Sequence, residues 1–220
     1  LADARTAVAS ALTKAMDDAD VAARITGIKG AAHVRAVAAN RSVRDGPVMP
    51  ASQRYQGVVW DHLEPTALST TAQRRARTSV LITSALHGIA GWDEPIPDYK
   101  LKMSTRLAPL GSLAGFWRQP VTAVLAGLAA EVDLVVDLLP LDHAKVVAFD
   151  ELPAPTVHVV FTTRSGRAIG HGAKAAKGRF ARHLLEVGGD PRRAATSFDW
   201  DGWRTASNPS GPTIEVQSGH

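Results

Sequence analysis

Lys174 and Lys177 stand three residues apart in the run His171-Gly172-Ala173-Lys174-Ala175-Ala176-Lys177-Gly178-Arg179. Read as a glycine-bounded turn leading into a helix, the run puts both ammonium groups on one helical face. Cations at a helix N-terminus oppose the helix dipole, and an oxyanion bound among them removes that conflict. The chemistry they fit is the holding of a phosphate, sulfate or carboxylate; the competing reading is a solvated basic turn. A second polar group gathers at Asp93, Glu94, Asp98 and Tyr99, where Pro95 and Pro97 fix φ and Lys100 and Lys102 follow directly. Ser84 does not sit in a G-x-S-x-G elbow, which argues against a hydrolase nucleophile. His62, His87, His143 and His171 show no i, i+4 pairing, so no metal is expected. No cofactor is expected either, since neither a Walker loop nor a dinucleotide fingerprint is present. Without cysteine, disulfides and thiolate chemistry are excluded.

These groups need elements to position them. Ser79-Val80-Leu81-Ile82-Thr83 is an apolar, β-branched run bounded by Gly88 and Gly91, and it reads as a buried strand emptying into the polar loop. Strand ends of that kind are where α/β proteins place ligands. Ala2 to Ala19 reads as helix by propensity, and Asp20 as the cap of a short second helix. At Ile25 to Val37 the turn Gly27-Ile28-Lys29-Gly30 joins two helical patterns and carries Lys29, His33 and Arg35 nearby. It is either a phosphate-gripping helix-hairpin-helix or an ordinary connection in the core. Helices are expected at Tyr55 to Leu63 and Thr66 to Thr78, the latter with Arg74, Arg75 and Arg77 as a solvated face. Ser112 to Ala130 is amphipathic, with Leu113, Phe116, Trp117, Val121, Val124, Leu125 and Leu128 as core.

Val132 to Leu139 and Thr156 to Thr163 read as strands, the second turning at Ser165-Gly166 into Arg167 to Gly170 before a helix at Lys174 to Val187. The expected fold is α/β (α+β), a single domain with a mixed sheet surrounded by helices. It comprises a helical part over about 1–78, a sheet-containing core over about 79–187 and an irregular tail over 188–220. The tail is rich in Pro, Gly, Ser and Asn, anchored by Trp200 and Trp203, with one short strand at Thr213 to Val216.

A formal charge of +4 and a pI near 9.7 favour an anionic ligand, yet the excess is small for a surface dedicated to DNA. No apolar run reaches the roughly 20 residues of a membrane span and no signal peptide is visible at Leu1, so a cytoplasmic protein without membrane contact is expected.

Three ordered segments carry a family resemblance. The first is Arg54-Tyr55-Gln56-Gly57-Val58-Val59-Trp60-Asp61. The second runs from Ser84-Ala85-Leu86 and Gly88 through Asp93, Ile96-Pro97, Tyr99, Leu101 and Met103 to Phe116-Trp117-Arg118. The third is His171 to Gly178. Together they resemble the YaaA family, whose namesake is a bacterial peroxide-stress protein, over most of Asp20 to Leu185. The departures are specific. The family's opening strand and Ser-and-Lys turn have no counterpart before Ala2, so a truncated N-terminus is expected. His87 replaces an aromatic residue, Gly91-Trp92 an Arg-Pro pair, Lys100 an Arg, and Pro140 and His143 the family's Ser and Tyr.

The resemblance implies two functions. One is that of the namesake, a peroxide-protective DNA-binding protein, with Gly27, Lys29, Gly30 and Arg35 on a phosphate backbone. The other is an enzyme of natural-product biosynthesis, similar to the aziridine-forming members, which close a three-membered ring by amine attack as a sulfate-type oxyanion leaves. A small anionic substrate would then meet Lys174, Lys177 and Arg54 as its cationic cradle. Asp61, His62 or His87 would act as base, and Tyr55, Trp60 and Tyr99 as walls, with Ser84, Lys100 and His171 as further contacts. A partner enzyme that supplies the activated intermediate belongs to this reading, and these residues are expected to converge on one cleft.

Overall fold

The computed structural model of the protein describes residues 1–163, 166, 170–206 and 211–219. The alanine-rich start forms α1 (Ala2–Ala15). The second helix, α2 (Ala19–Thr26), is capped by Asp18, whose carboxylate accepts from the N–H groups of Asp20 and Val21. Asp20 is already helical, so the extended Asp18 takes the capping role expected of it. Gly27 ends α2 in the left-handed conformation, and α3 (Gly30–Arg41) follows. Next come β1 (Val48–Pro50), α4 (Ala51–Arg54), α5 (Val58–Leu63) and α6 (Thr70–Ser79). The last starts later than expected because Pro65–Ala67 forms a separate 3₁₀ turn and Ser69 Oγ caps the helix through the Ala72 N–H. The chain continues through β2 (Leu81–Ser84), β3 (Gly88–Gly91), β4 (Pro95–Pro97), β5 (Arg106–Leu107), β6 (Gly111–Ser112) and α7 (Leu113–Ala129). It closes with β7 (Val135–Asp137), α8 (Leu141–Ala144), β8 (Thr156–Thr162), α9 (His171–Val187), α10 (Pro191–Ala195), β9 (Asp199–Trp200), β10 (Trp203–Thr205) and β11 (Thr213–Ser218). The turn expected through Ser165 and Arg167 lies outside the described residues.

This mixed α/β fold comprises two compact units. The first takes Leu1–Arg54, Leu81–Ala130 and Leu139–Leu152. Its core joins α1, α2 and α7 through Val8, Leu12, Met16, Ile25, Trp117 and Val121 to Leu86, Ile89, Met103 and Val146. The amphipathic reading of α7 holds for Leu113, Trp117 and Val121, which are fully buried, but Leu128 is 47% exposed and outside the core. Strand β2 is not a wholly buried strand. It pairs antiparallel with β3 as a hairpin and buries alternate residues, Ile82 and Ser84, while Leu81 is exposed. The first 78 residues are not all helical, since β1 pairs antiparallel with β4.

The second unit takes Tyr55–Val80, Glu131–Leu138 and the chain from Pro153 on. Its mixed sheet has the order β7-β8-β11-β10-β9, parallel across β7, β8 and β11 and antiparallel beyond. Along β8 the side chains of Val157, Val159 and Phe161 are buried, alternating with Thr156, His158, Val160 and Thr162. The buried set meets Ala176 and Phe180 of α9, together with Phe198, Trp203, Ile214 and Val216. The region after Gly188 is thus not an irregular tail with one short strand: it supplies α10, three strands and part of this core. Trp203 serves as an anchor at 5% exposure. Among the described residues no helix is long and apolar enough to cross a membrane.

Candidate functional site

The expected site residues are distributed over both units. Arg54, Ser84, His87, Tyr99 and Lys100 belong to the first, with Gly27, Lys29, Gly30 and Arg35; Tyr55, Trp60, Asp61, His62, His171, Lys174 and Lys177 belong to the second.

In the first unit the β2–β3 hairpin and the Tyr99 loop meet around Ser84. Its Oγ lies 2.9 Å from the Tyr99 hydroxyl and accepts the His87 N–H at 3.0 Å. Ser84 is fully buried, so its hydroxyl braces the turn. Trp117 Nε1 donates to the Ala85 carbonyl at 2.8 Å, and a Cβ at Gly88 would come within 2.7 Å of the Trp117 ring. Arg5 clamps the same turn by donating to the carbonyls of His87 and Ile89 and to Glu94. Burial, aided by Arg5 and opposed by Glu94, pushes the His87 imidazole down to about 4. Its Nε2 is buried and has no hydrogen-bond partner. His143 lies 2.6 Å from Thr83 Oγ1 through Nδ1, and burial lowers its pKa as well. Lys100 is exposed, its backbone N–H and carbonyl both held by the buried Asn40. Arg54 donates to the Pro47 carbonyl at 3.4 Å.

The Gly27–Gly30 turn also lies in this unit. Gly27 and Gly30 have φ values of 62° and 63°, and α3 starts at Lys29 with no side-chain cap. Lys29 and Arg35 are exposed, and Lys102 Nζ would lie 3.4 Å from a Cβ at Gly27. His33 is used internally, 2.8 Å from Thr26 Oγ1.

In the second unit α9 carries the cationic motif. His171 is the first helical residue and no side chain caps the helix, so Gly172 and Gly178 lie inside α9 and do not bound a turn. Gly178 has a packing cause: a Cβ there would fall 2.2 Å from the Val59 carbonyl of α5 and 2.9 Å from His62 Cβ. Helix α5 thereby presents the Tyr55 to His62 segment along α9. Tyr55 and Trp60 stack with ring centroids 5.6 Å apart. His62 Nδ1 donates to the Val58 carbonyl at 2.8 Å, which leaves Nε2 as its basic atom, while Asp61 is exposed.

The cations divide by environment. His171 and Lys174 are exposed, whereas Lys177 is half-buried, with Nζ 5.7 Å from the centre of the Phe161 ring. Burial lowers the Lys177 pKa, and the Asp137 carboxylate acts in the opposite sense. Arg179 is committed to structure, donating to Glu64 at 2.9 and 3.4 Å. Arg75, expected on a solvated face, instead donates to the carbonyls of Leu185 and Glu186 at the end of α9.

Two residues that the sequence reading missed stand beside this motif. Asp137 ends β7 and His158 is its register partner in β8, with His158 Nδ1 2.8 Å from Asp137 Oδ2. The alternation of polar and apolar residues in Thr156 to Thr162 set His158 apart from the core face. Its pairing with a residue 21 positions earlier depends on strand register, which no local pattern prints.

The family model described as peroxide stress protein YaaA matches residues 1–208. A UPF0246 protein of Streptomyces coelicolor is 35% identical over 161 residues, which is 72% of this chain and 62% of that protein. One of Methylibium petroleiphilum is 34% identical over 172 residues, covering 74% and 66%. One of Corynebacterium efficiens is 28% identical over 204 residues, covering 91% and 78%. The chain therefore spans 62% and 66% of the length of the first two.

Proposed function

The chain belongs to the peroxide stress protein YaaA family, and from that premise we propose that it is an enzyme acting on a small anionic substrate held at the start of α9. The observation that carries this reading is Lys177, an ammonium drawn partly out of water against the Phe161 ring. Burying a cation is costly unless a counter-charge accompanies it. Asp137 supplies part of that charge, and an oxyanion would supply the rest. Lys174, exposed and on the same helical face, and His171 at the uncapped helix start widen the positive field.

The finer reading is closure of an aziridine ring in a natural-product pathway. The substrate amine would attack the neighbouring carbon as its C–O bond breaks; the oxygen leaves with the electron pair as a sulfate-type anion, and the amine proton passes to a base. Lys174 and Lys177 would stabilise the leaving oxygen as charge develops on it. Tyr55 and Trp60 offer an aromatic wall within the same unit. Of the expected bases, His62 keeps Nε2 available and Asp61 is exposed. His87, held near 4, is a poor proton acceptor at neutral pH. Arg54 is engaged in the other unit, so the cradle rests on the cations of α9.

Calorimetric titration with inorganic sulfate tests the site without knowledge of the substrate. Lys177→Met and Lys174→Met should each weaken binding by about tenfold, equal to ~1.4 kcal/mol, while the proteins stay folded. Equal affinity in both variants would remove the site.

A DNA-binding reading is favoured by one observation, the exposed and uncapped start of α3 between Gly27 and Gly30 with Lys29, Arg35 and Lys102 around it.

A further inference from the structure

We infer that Asp137 and His158 form the proton-accepting pair of the α9 anion site, with His158 Nε2 taking the proton and Asp137 positioning the ring. The inference rests on the reading of that site given above and names its base. Asp137 is the last residue of β7, and the parallel register of β7 and β8 sets His158 directly beside it. The contact of 2.8 Å joins Nδ1 to a carboxylate oxygen, so Nδ1 carries the hydrogen and the basic lone pair lies on Nε2. Exposure is graded to match, with the Asp137 side chain 11% accessible and that of His158 43% accessible. A carboxylate so far withdrawn from solvent keeps its orientation and supports the imidazolium that forms when the ring accepts a proton.

The pair belongs with the α9 cations because the Asp137 charge acts on Lys177. It also lies where ligands gather in α/β sheets, at the carboxyl end of parallel strands. Other histidines of this unit are backed differently: His62 donates from Nδ1 to the Val58 carbonyl, and His183 directs Nε2 to the Ala194 carbonyl and Ser197 Oγ. In the reaction proposed, the proton leaving the substrate amine passes to His158 Nε2 as the N–C bond forms. The electron pair of the breaking C–O bond departs with the oxyanion toward Lys174 and Lys177, and the imidazolium later returns its proton to water.

The experiment needs no substrate. Carbethoxylation of each histidine by diethylpyrocarbonate is followed by peptide mass spectrometry, with and without saturating inorganic sulfate. Nitrogen-15 spectra of the imidazoles report which ring nitrogen carries hydrogen. His158 should be an Nδ1–H tautomer, react about tenfold faster than in Asp137→Asn, and be shielded by sulfate. An Nε2–H tautomer, or a rate indifferent to Asp137→Asn, would overturn the pair. Sulfate that binds in a Lys177-dependent way yet leaves His158 fully reactive would show that the pair is not the base of this site. Absence of sulfate binding would instead overturn the site reading beneath it, leaving the tautomer to report on the pair alone. Tautomer and shielding are both read on the unsubstituted protein, so a poorly folded variant does not blunt the test.

Discussion

Burial of ionisable side chains at His87 and His143 has a consequence for stability. Both imidazoles are driven toward the neutral form by desolvation; Arg5 adds to this at His87, while Glu94 opposes it there and Asp142 and Thr83 oppose it at His143. The unfolded chain takes up these protons near 6.5, whereas folded His87 resists until about 4. Between those values the unfolded state binds more protons, so stability is lost as pH falls through the window. Urea midpoints measured across it should drop in the parent protein and drop less in His87→Gln and His143→Gln. Parallel curves for all three would show that neither imidazole is linked to folding. The same physics at Lys177 underlies the sulfate titration: the lysine whose ammonium is least hydrated should lose most from the absence of an anion.

Among the elements, α9 shows what sequence can and cannot supply. Its helical nature and the shared face of Lys174 and Lys177 were legible from spacing. The placement of Gly178 as a turn residue was not correct, because its reason lies in the distant Val59 carbonyl. Gly178→Ala should therefore destabilise by about 1–3 kcal/mol, since a backbone carbonyl cannot move aside as a side chain can. Gly172→Ala is the control, for its Cβ would meet Trp203 at an ordinary 3.7 Å and the helix gains propensity. Thermal melts of the two should separate clearly, and equal melting temperatures would refute the packing account. The strands after Gly188 escaped notice for a different reason. β9 and β10 are two and three residues long, too short for an alternation to show among the surrounding Gly and Pro, and they gain their partners only through β11. β11 itself was legible as a short β-branched run, though its parallel pairing with β8 was not.

At the scale of the whole molecule, charge decides between the two functional readings. A net +4 spread over 220 residues supports only weak non-specific attraction to DNA. Fluorescence anisotropy with duplex DNA should show weak binding with a shallow salt dependence. Lys29→Ala and Arg35→Ala should each lower the slope by about 0.9 if those residues meet phosphates. Sub-micromolar binding at physiological salt that vanishes in Lys29→Ala would instead make the Gly27–Gly30 turn the principal site. Two separate cores, one around Trp117 and one around Phe180, let each cluster be judged within its own unit. The central claim is that the start of α9 holds an oxyanion, and anomalous diffraction from crystals soaked in selenate locates one directly. The account predicts a selenium peak with its oxygens in hydrogen-bond reach of Lys174 and Lys177. Selenate bound at the Gly27–Gly30 turn, with none at α9, would contradict it.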